Sequence, residues 1–359
     1  MNLQENISLK KFNTFGIDVS AKYFLEANSA SDIQNFLDDK SSPLIKGARG
    51  LLVLGGGSNI LFTKNFDGTV LKNNLKGIEL LKEDSESYFV KAGGGEVWHE
   101  FVLHCIKNNY AGVENLSLIP GSVGAAPIQN IGAYGVEQKE VFQELEAINL
   151  EENKKVVFKN SDCQFGYRDS IFKREAKNKF IITSVTFILN KKPKLNTSYG
   201  AINQELEKMG VKEISISAIS QAVCNIRRSK LPDPAVIGNA GSFFKNPTVS
   251  AEKYNSLKND YPSVVAYPSP NGGGQGGGFK LAAGWLIEQC GWKGKQFGSY
   301  GVHPVGNEKP SYGVHKDQAL VLVNYGGANG KEIYELSGKV LQSVIEKFGV
   351  VLEREVVIV

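Results

Sequence analysis

Two stretches of this chain are almost bare of side chains, the pattern a backbone needs if it is to hold an anion. One is PGSVGAAPIQNIGAYG, residues 120–135; the other is LLVLGGGSNIL, residues 51–61. In the first, Gly121, Gly124, Gly132 and Gly135 are interspersed with Ala125, Ala126 and Ala133, and no residue is charged. Its polar handles are Ser122, Gln129, Asn130 and Tyr134. Glycine permits backbone conformations and close approaches that a Cβ blocks. Successive exposed N–H groups in such a loop form a nest for an anion. Each stretch is therefore a candidate seat for cofactor phosphates. The competing reading of the first is a glycine turn packed tightly between elements. In the second, an apolar strand runs into Gly55, Gly56 and Gly57. No Lys-Ser/Thr follows these glycines, so it is not a Walker loop, and Ile60 stands where GxGxxG would need its third glycine.

Three single residues invite a chemical reading. Arg168, in FGYRDSIFK, is flanked by Tyr167 and Asp169. A held guanidinium binds a carboxylate or phosphate bidentately; alternatively it pairs with Asp169 and pins a loop. Ser242, in GNAGSFFKNP, lies between a glycine and two phenylalanines, an apolar setting in which a hydroxyl needs a reason. No GxSxG elbow is present and His303 and His315 are far away in sequence, so a serine hydrolase is not indicated. Glu355 is embedded in the closing VVLEREVVIV. As a strand, that segment puts Glu355 on the same face as Glu353, either on the wet side of an edge or as a buried carboxylate with a raised pKa. His99 and His104 are five apart on a predicted helix, the wrong spacing for a metal pair.

The elements that would position these residues follow from periodicity and turn signals. Strands are predicted at 22–27, 66–71, 88–92, 180–189 and 319–324, with a hairpin formed by 141–150 and 154–158. Helices are predicted at 31–37, 97–107, 217–228, 280–290 and 330–348. Pro232 and Pro234 after a basic helix end read as a helix stop and a domain boundary. Many short strands joined by glycine turns indicate an α+β fold rather than a doubly wound sheet. NGGGQGGG, 271–278, reads as a surface loop. The pentapeptide SYGVH occurs at 299–303 and again at 311–315, a local duplication or extended hairpin.

The chain has 359 residues, which calls for two or three domains. A net charge of +4 is too mild for a nucleic-acid partner. Cys105, Cys163, Cys224 and Cys290 are widely spaced with no CxxC, as expected of a reduced chain without structural zinc. The N-terminus lacks the apolar core of a signal peptide, and no window reaches the roughly 20 apolar residues of a membrane span. The expectation is a soluble, cytoplasmic protein with no membrane partner.

Taken together, PGSVGAAPIQNIGAYG, LGGGSNIL, FGYRDSIFK, KLPDP, GSFFKNP, KLAAGWLIEQCGWKG, QALVLVN and LEREV resemble, in this order and over essentially the whole chain, the UDP-N-acetylenolpyruvoylglucosamine reductase (MurB) family. The resemblance implies three α+β domains: an FAD-binding domain of the vanillyl-alcohol-oxidase type at 1–76, completed by 340–359; a second FAD-binding domain at 77–228; and a substrate-binding domain at 229–339. It implies non-covalent FAD along Leu54, Gly55, Gly56, Gly57, Ser58, Asn59, Ile60 and Leu61, and along Pro120, Gly121, Ser122, Gly124, Ala125, Ala126, Gln129, Asn130, Gly132, Ala133, Tyr134 and Gly135. The implied reaction is a hydride relay from NADPH through FAD to the enolpyruvyl ether of UDP-N-acetylglucosamine, giving UDP-N-acetylmuramate for peptidoglycan. Arg168 matches the arginine that stabilises the enolate-like charge, Glu355 the glutamate that assists it, and Ser242 the proton donor. Tyr199 matches the tyrosine whose loop folds over the substrate in the longer, type I, branch. Lys230 matches a lysine near the UDP phosphates, with Asn246 as its neighbour. The duplicated SYGVH and the bare 271–278 loop depart from the family pattern. Two other classes remain: a flavin-dependent sugar or lactone oxidase or dehydrogenase on the same scaffold, and a flavin- or nucleotide-binding protein without turnover.

Overall fold

The computed structural model describes residues 2–39, 50–269, 278–298, 300–302 and 308–359. The chain forms two compact units. One comprises Met1–Ser8, Ser20–Gly57 and Asn65–Ser229; the other comprises Leu9–Val19, Ser58–Lys64 and Lys230–Val359. Each mixes helices with largely antiparallel sheet, the expected α+β class. Among the described residues, no helix is long and apolar enough to cross a membrane.

In the first unit, strands Ser20–Ala27 and Leu51–Leu54 flank Phe66–Asn73 in parallel, and Gln4–Ser8 joins the edge antiparallel. Helix Ala30–Asp38 opens with a capping box: the Ser29 hydroxyl accepts the Asp32 N–H, and the Asp32 carboxylate accepts the N–H groups of Asn28 and Ser29. The helix starts just before the predicted Ser31, because Asp32 stands three residues after Ser29 and answers it. Ile33 and Phe36 pack against Leu25, Leu71, Ile148 and Ile181. Each such fully buried side chain contributes about 1.5–3 kcal/mol.

The same unit holds a five-stranded antiparallel sheet in the order Lys155–Lys159, Phe142–Asn149, Phe180–Asn190, Ser87–Gly93, Ile78–Glu83. Its first two strands are the predicted hairpin. Helix Trp98–Lys107 turns Trp98 and Phe101 onto Phe187, the Phe101 and Phe187 rings lying 4.8 Å apart. Helix Ile216–Lys230 extends the predicted one at both ends. It packs Ile219 and Val223 against Ile202 and Leu206 of helix Gly200–Lys208, which sequence patterning missed: it opens on Tyr199-Gly200 with no side-chain cap.

The second unit has a four-stranded antiparallel sheet in the order Gly238–Ser242, Val321–Asn324, Tyr312–Val314, Gln296–Phe297. A three-stranded sheet joins Thr248–Ser250, Gly278–Leu281 and Ala266–Ser269. The single helix expected over 280–290 is in fact a strand end followed by helix Ala283–Gln289. The break has a local cause: Leu281 N–H bonds Pro247 O, and the Asn246 side chain accepts the Ala283 N–H. Helix Gly330–Phe348 matches its predicted bounds, with an Asn329/Glu332 capping box and Gly349 left-handed at its end. The two SYGVH copies do not pair with each other among the described residues. Tyr300–Val302 of the first pairs with Glu308–Lys309, and Tyr312–Val314 of the second lies in the four-stranded sheet. Residues 299, 303–307 and 271–277 lie outside the described residues, so most of the glycine-rich loop does too.

Candidate functional site

Leu51–Leu54 delivers the chain to Gly55–Gly57, and these glycines meet the 120–135 stretch of the same unit at backbone contact. A Cβ on Gly56 would stand 2.8 Å from Gly121 Cα, and one on Gly55 would run into the Ser122 hydroxyl. Gly124 is equally constrained: its N–H bonds Gly94 O, and a Cβ would lie 2.9 Å from that oxygen. Tight packing, the competing reading of the sequence, is therefore real. It does not exhaust the loops, because among the described residues the Gly56 and Ser122 N–H groups bond no acceptor. Neither loop carries a charged side chain. Bare backbone with outward N–H groups and no carboxylate is the donor set a diphosphate needs, so the residues fit FAD.

The rest of the 120–135 stretch is fixed by its own polar groups. Asn130 is buried in the left-handed region, φ 45°. Its Nδ2 donates to Glu137 and to Gly166 O, and its Oδ1 accepts the Lys139 N–H. Asn130 thus ties this stretch to the loop that presents Arg168. Pro120 and Gly135 are exposed, Gly121, Ala125, Gln129, Ala133 and Tyr134 half-buried, and Gly124, Ala126 and Gly132 buried. Ser58, Asn59, Ile60 and Leu61 belong to the second unit, where Ile60–Leu61 pairs in parallel with Val357–Ile358.

Arg168 is half-buried and also left-handed, φ 52°. Its Nη2 donates to Gly132 O at 2.5 Å, and its guanidinium lies over the Tyr167 ring. Asp169 takes Arg174 as its ion-pair partner, so the carboxylate beside Arg168 is spent elsewhere. Arg227, on the basic end of helix Ile216–Lys230, was not singled out from the sequence, although the doubled Arg227-Arg228 before KLPDP was a signal. Its Nε donates to Leu118 O, and it bonds the Tyr134 hydroxyl. Burial pushes the Arg227 guanidinium below its ordinary value, Tyr134 and Cys224 oppose that, and the nearby charge of Arg168 adds to it. Burial likewise raises the Tyr134 hydroxyl. The Tyr134 and Tyr199 rings meet edge to face at 5.2 Å. Two guanidiniums and two phenol rings in one unit make a cationic, aromatic-walled patch suited to an anionic ligand.

In the second unit, the irregular segment bearing Glu355 runs beside the end of strand Gly238–Ser242. Gly241, φ 68°, bulges strand Gly238–Ser242, and Ser242 comes to lie opposite Val321. Phe243 and Phe244 are buried while Ser242 is exposed. The apolar setting expected for this hydroxyl is therefore not present: the rings turn inward and leave the hydroxyl in the open. The half-buried Glu355 donates its N–H to Phe243 O at 2.9 Å and accepts the Asn59 amide on its own carbonyl. Only Val357–Ile358 of the expected closing strand is regular, with Arg354 forming a single bridge to Phe244. Glu353 is exposed and its carboxylate pairs with Lys245, whose N–H bonds Glu353 O. Lys230 is exposed at its helix end, and the Asn246 side chain caps helix Ala283–Gln289.

Comparison with known proteins agrees with this geometry. The profile of the FAD binding domain matches residues 21–154. That of the UDP-N-acetylenolpyruvoylglucosamine reductase C-terminal domain matches residues 233–359. The UDP-N-acetylenolpyruvoylglucosamine reductase of Amoebophilus asiaticus is 49% identical over 100% of both chains. That of Flavobacterium johnsoniae is 46% identical over 99% of both. The crystal structure of UDP-N-acetylenolpyruvylglucosamine reductase (MurB) from Thermus caldophilus, 21% identical, shares the fold at a TM-score of 0.63, covering 100% of this chain and 99% of the other. With full-length identity at that level, and with residues 21–154 and 233–359 matched by the two profiles, the chain belongs to the UDP-N-acetylenolpyruvoylglucosamine reductase family.

Proposed function

We propose that this chain reduces UDP-N-acetylenolpyruvoylglucosamine to UDP-N-acetylmuramate with NADPH and FAD, in the cytoplasm, as a step toward peptidoglycan. The observation that carries the reading is the backbone bond from Glu355 N–H to Phe243 O, which brings the C-terminal segment bearing Glu355 alongside the end of the strand bearing Ser242, far apart in sequence. The proposed division is three domains, 1–76 with 340–359, 77–228 and 229–339. Bound FAD would supply a two-electron relay, accepting a hydride from NADPH and passing it to the alkene terminus.

The chain's own residues then handle charge and one proton. Hydride addition leaves carbanion charge beside the substrate carboxylate, spread as an enolate. Arg168 stabilises that charge, as preorganised cations do in a site shielded from water. Ser242 donates the proton that completes the lactyl ether, and solvent returns a proton to its oxygen. Serine is a weak acid, so it serves only because the enolate is strongly basic and the strand holds the hydroxyl in place. Glu355 assists from the paired segment. The exposed Lys230 and Tyr199 contribute to holding the nucleotide sugar, with Asn246 shaping the same region.

A visible spectrum taken through anaerobic addition of NADPH and then the enolpyruvyl nucleotide sugar tests the whole reading. A yellow protein that bleaches and recovers colour only with that substrate is the expected result. Bleaching by a plain sugar or lactone, with colour returning in oxygen, would instead move the chain to the oxidases. A protein that binds no FAD would overturn the reading.

A further inference from the structure

A trans peptide is planar, and its C=O and N–H point in opposite directions. Whatever holds the carbonyl of one residue therefore aims the N–H of the next. Among the described residues no peptide is cis. Two peptides at the junction of the glycine loops are held this way. Gly121 O accepts the Trp98 N–H at 3.0 Å, which turns the Ser122 N–H to the other side. Gly55 O accepts Lys72 Nζ at 2.5 Å, which does the same for the Gly56 N–H. Among the described residues these two N–H groups bond no protein acceptor, and the loops bearing them touch.

The two grips differ in kind. Trp98 holds with backbone at a helix start; Lys72 holds with a side chain. Lys72 stands opposite Leu54 in the parallel register of Phe66–Asn73 with Leu51–Leu54, directly behind the turn. It is half-buried, and that burial pushes its ammonium below the ordinary value, with Lys76 adding and Glu26 opposing. A strand lysine that only needed solvation would extend to water. This one bends to a single carbonyl.

We propose that Lys72 is a positioning residue for the cofactor's diphosphate: by holding Gly55 O it aims the Gly56 N–H, beside that of Ser122, at the anion. The proposal rests on the FAD reading above. A purely structural lysine would tie strand to turn and stabilise the chain with or without cofactor. A positioning lysine acts on the affinity for the diphosphate.

The test is fluorescence titration of the full-length, FAD-stripped chain with FAD, and competition by ADP, for wild type, Lys72→Met and Lys72→Arg. Losing a charged hydrogen bond of this kind should weaken both ligands about tenfold in Lys72→Met. Lys72→Arg, which keeps a cationic donor, should recover most of it. The thermal midpoint of the FAD-free chain should not move. Unchanged FAD affinity in Lys72→Met would overturn the proposal, and so would a loss that tracks a drop in the FAD-free midpoint. If wild type itself bound no FAD, the cofactor reading would fall, a result distinct from either.

Discussion

Replacing Ser242 with alanine separates chemistry from architecture. Ser242 is exposed, and its neighbours Phe243 and Phe244 carry the packing at 0% and 1% exposure. Removing one exposed hydroxyl leaves those rings, the Gly241 bulge and the pairing with Val321 in place. A surface change of this kind alters stability by no more than about 0.5 kcal/mol. A positioned proton donor, by contrast, is worth about 10²–10⁴-fold in rate, or roughly 3–5 kcal/mol of barrier. The gap between those magnitudes makes the experiment decisive. In anaerobic stopped flow, the Ser242→Ala variant should bleach with NADPH at close to the wild-type rate. Its colour should return at least a hundredfold more slowly when the enolpyruvyl substrate is added. If bleaching and recovery slowed by the same factor, Ser242 would be supporting the fold or the flavin and the proton-donor assignment would fail.

Glu355→Gln should show the same selectivity for the second half-reaction, since its backbone bonds to Phe243 and Asn59 do not depend on the carboxylate; equal loss in both halves would remove it from catalysis. Gly56→Ala should weaken FAD binding in a fluorescence titration by about tenfold or more, because the new Cβ meets Gly121 Cα at 2.8 Å, backbone that cannot swing aside. Unchanged affinity would show that the loops do not form the seat. His99 accepts the Leu118 N–H on Nδ1. Burial lowers its pKa from the ordinary 6.5, with Arg228 and Arg227 adding to this and Glu100 opposing. The unfolded chain therefore protonates first, and stability present above pH 6.5 is lost as pH falls through the lower folded value. His99→Asn keeps an acceptor that does not titrate, so its melting temperature should fall less between neutral and mildly acid pH. His315, lowered in the same direction by burial, retains the remainder.

What the sequence made legible was what depends on neighbours along the chain. Periodicity and turn signals located the hairpin of 141–150 and 154–158, and helical period located Gly330–Phe348, which the structure bounds with an Asn329 cap and a left-handed Gly349. Failures occurred where a distant group decided. The helix expected from Lys280 begins at Ala283 because Asn246 caps it there. Ser242 looked buried because two phenylalanines follow it, and strand geometry sent them the other way. Arg227 carried only the doubled Arg227-Arg228 as a signal, and Lys72 carried none. Their roles come from carbonyls 109 and 17 residues away, Leu118 and Gly55.

The same distinction explains why Glu355 stood out in the sequence as a candidate while its setting did not. Its position is set by register rather than by the residues around it. Thr63 binds Val359 O through both its N–H and its hydroxyl. Val357 pairs with Ile60, and Asn59 holds the Glu355 carbonyl. Phe243, next to Ser242, then takes the Glu355 N–H from the other side. A one-residue slip of this segment would displace Leu352 and Val356, both buried, from the positions that bury them. It would also separate Lys245 from the exposed Glu353, a pair that adds little, whereas Asn59 bonds a main-chain carbonyl that any residue there would present. The buried apolar side chains thus fix which carboxylate stands beside the strand of Ser242, and the ion pair of LEREV adds to that.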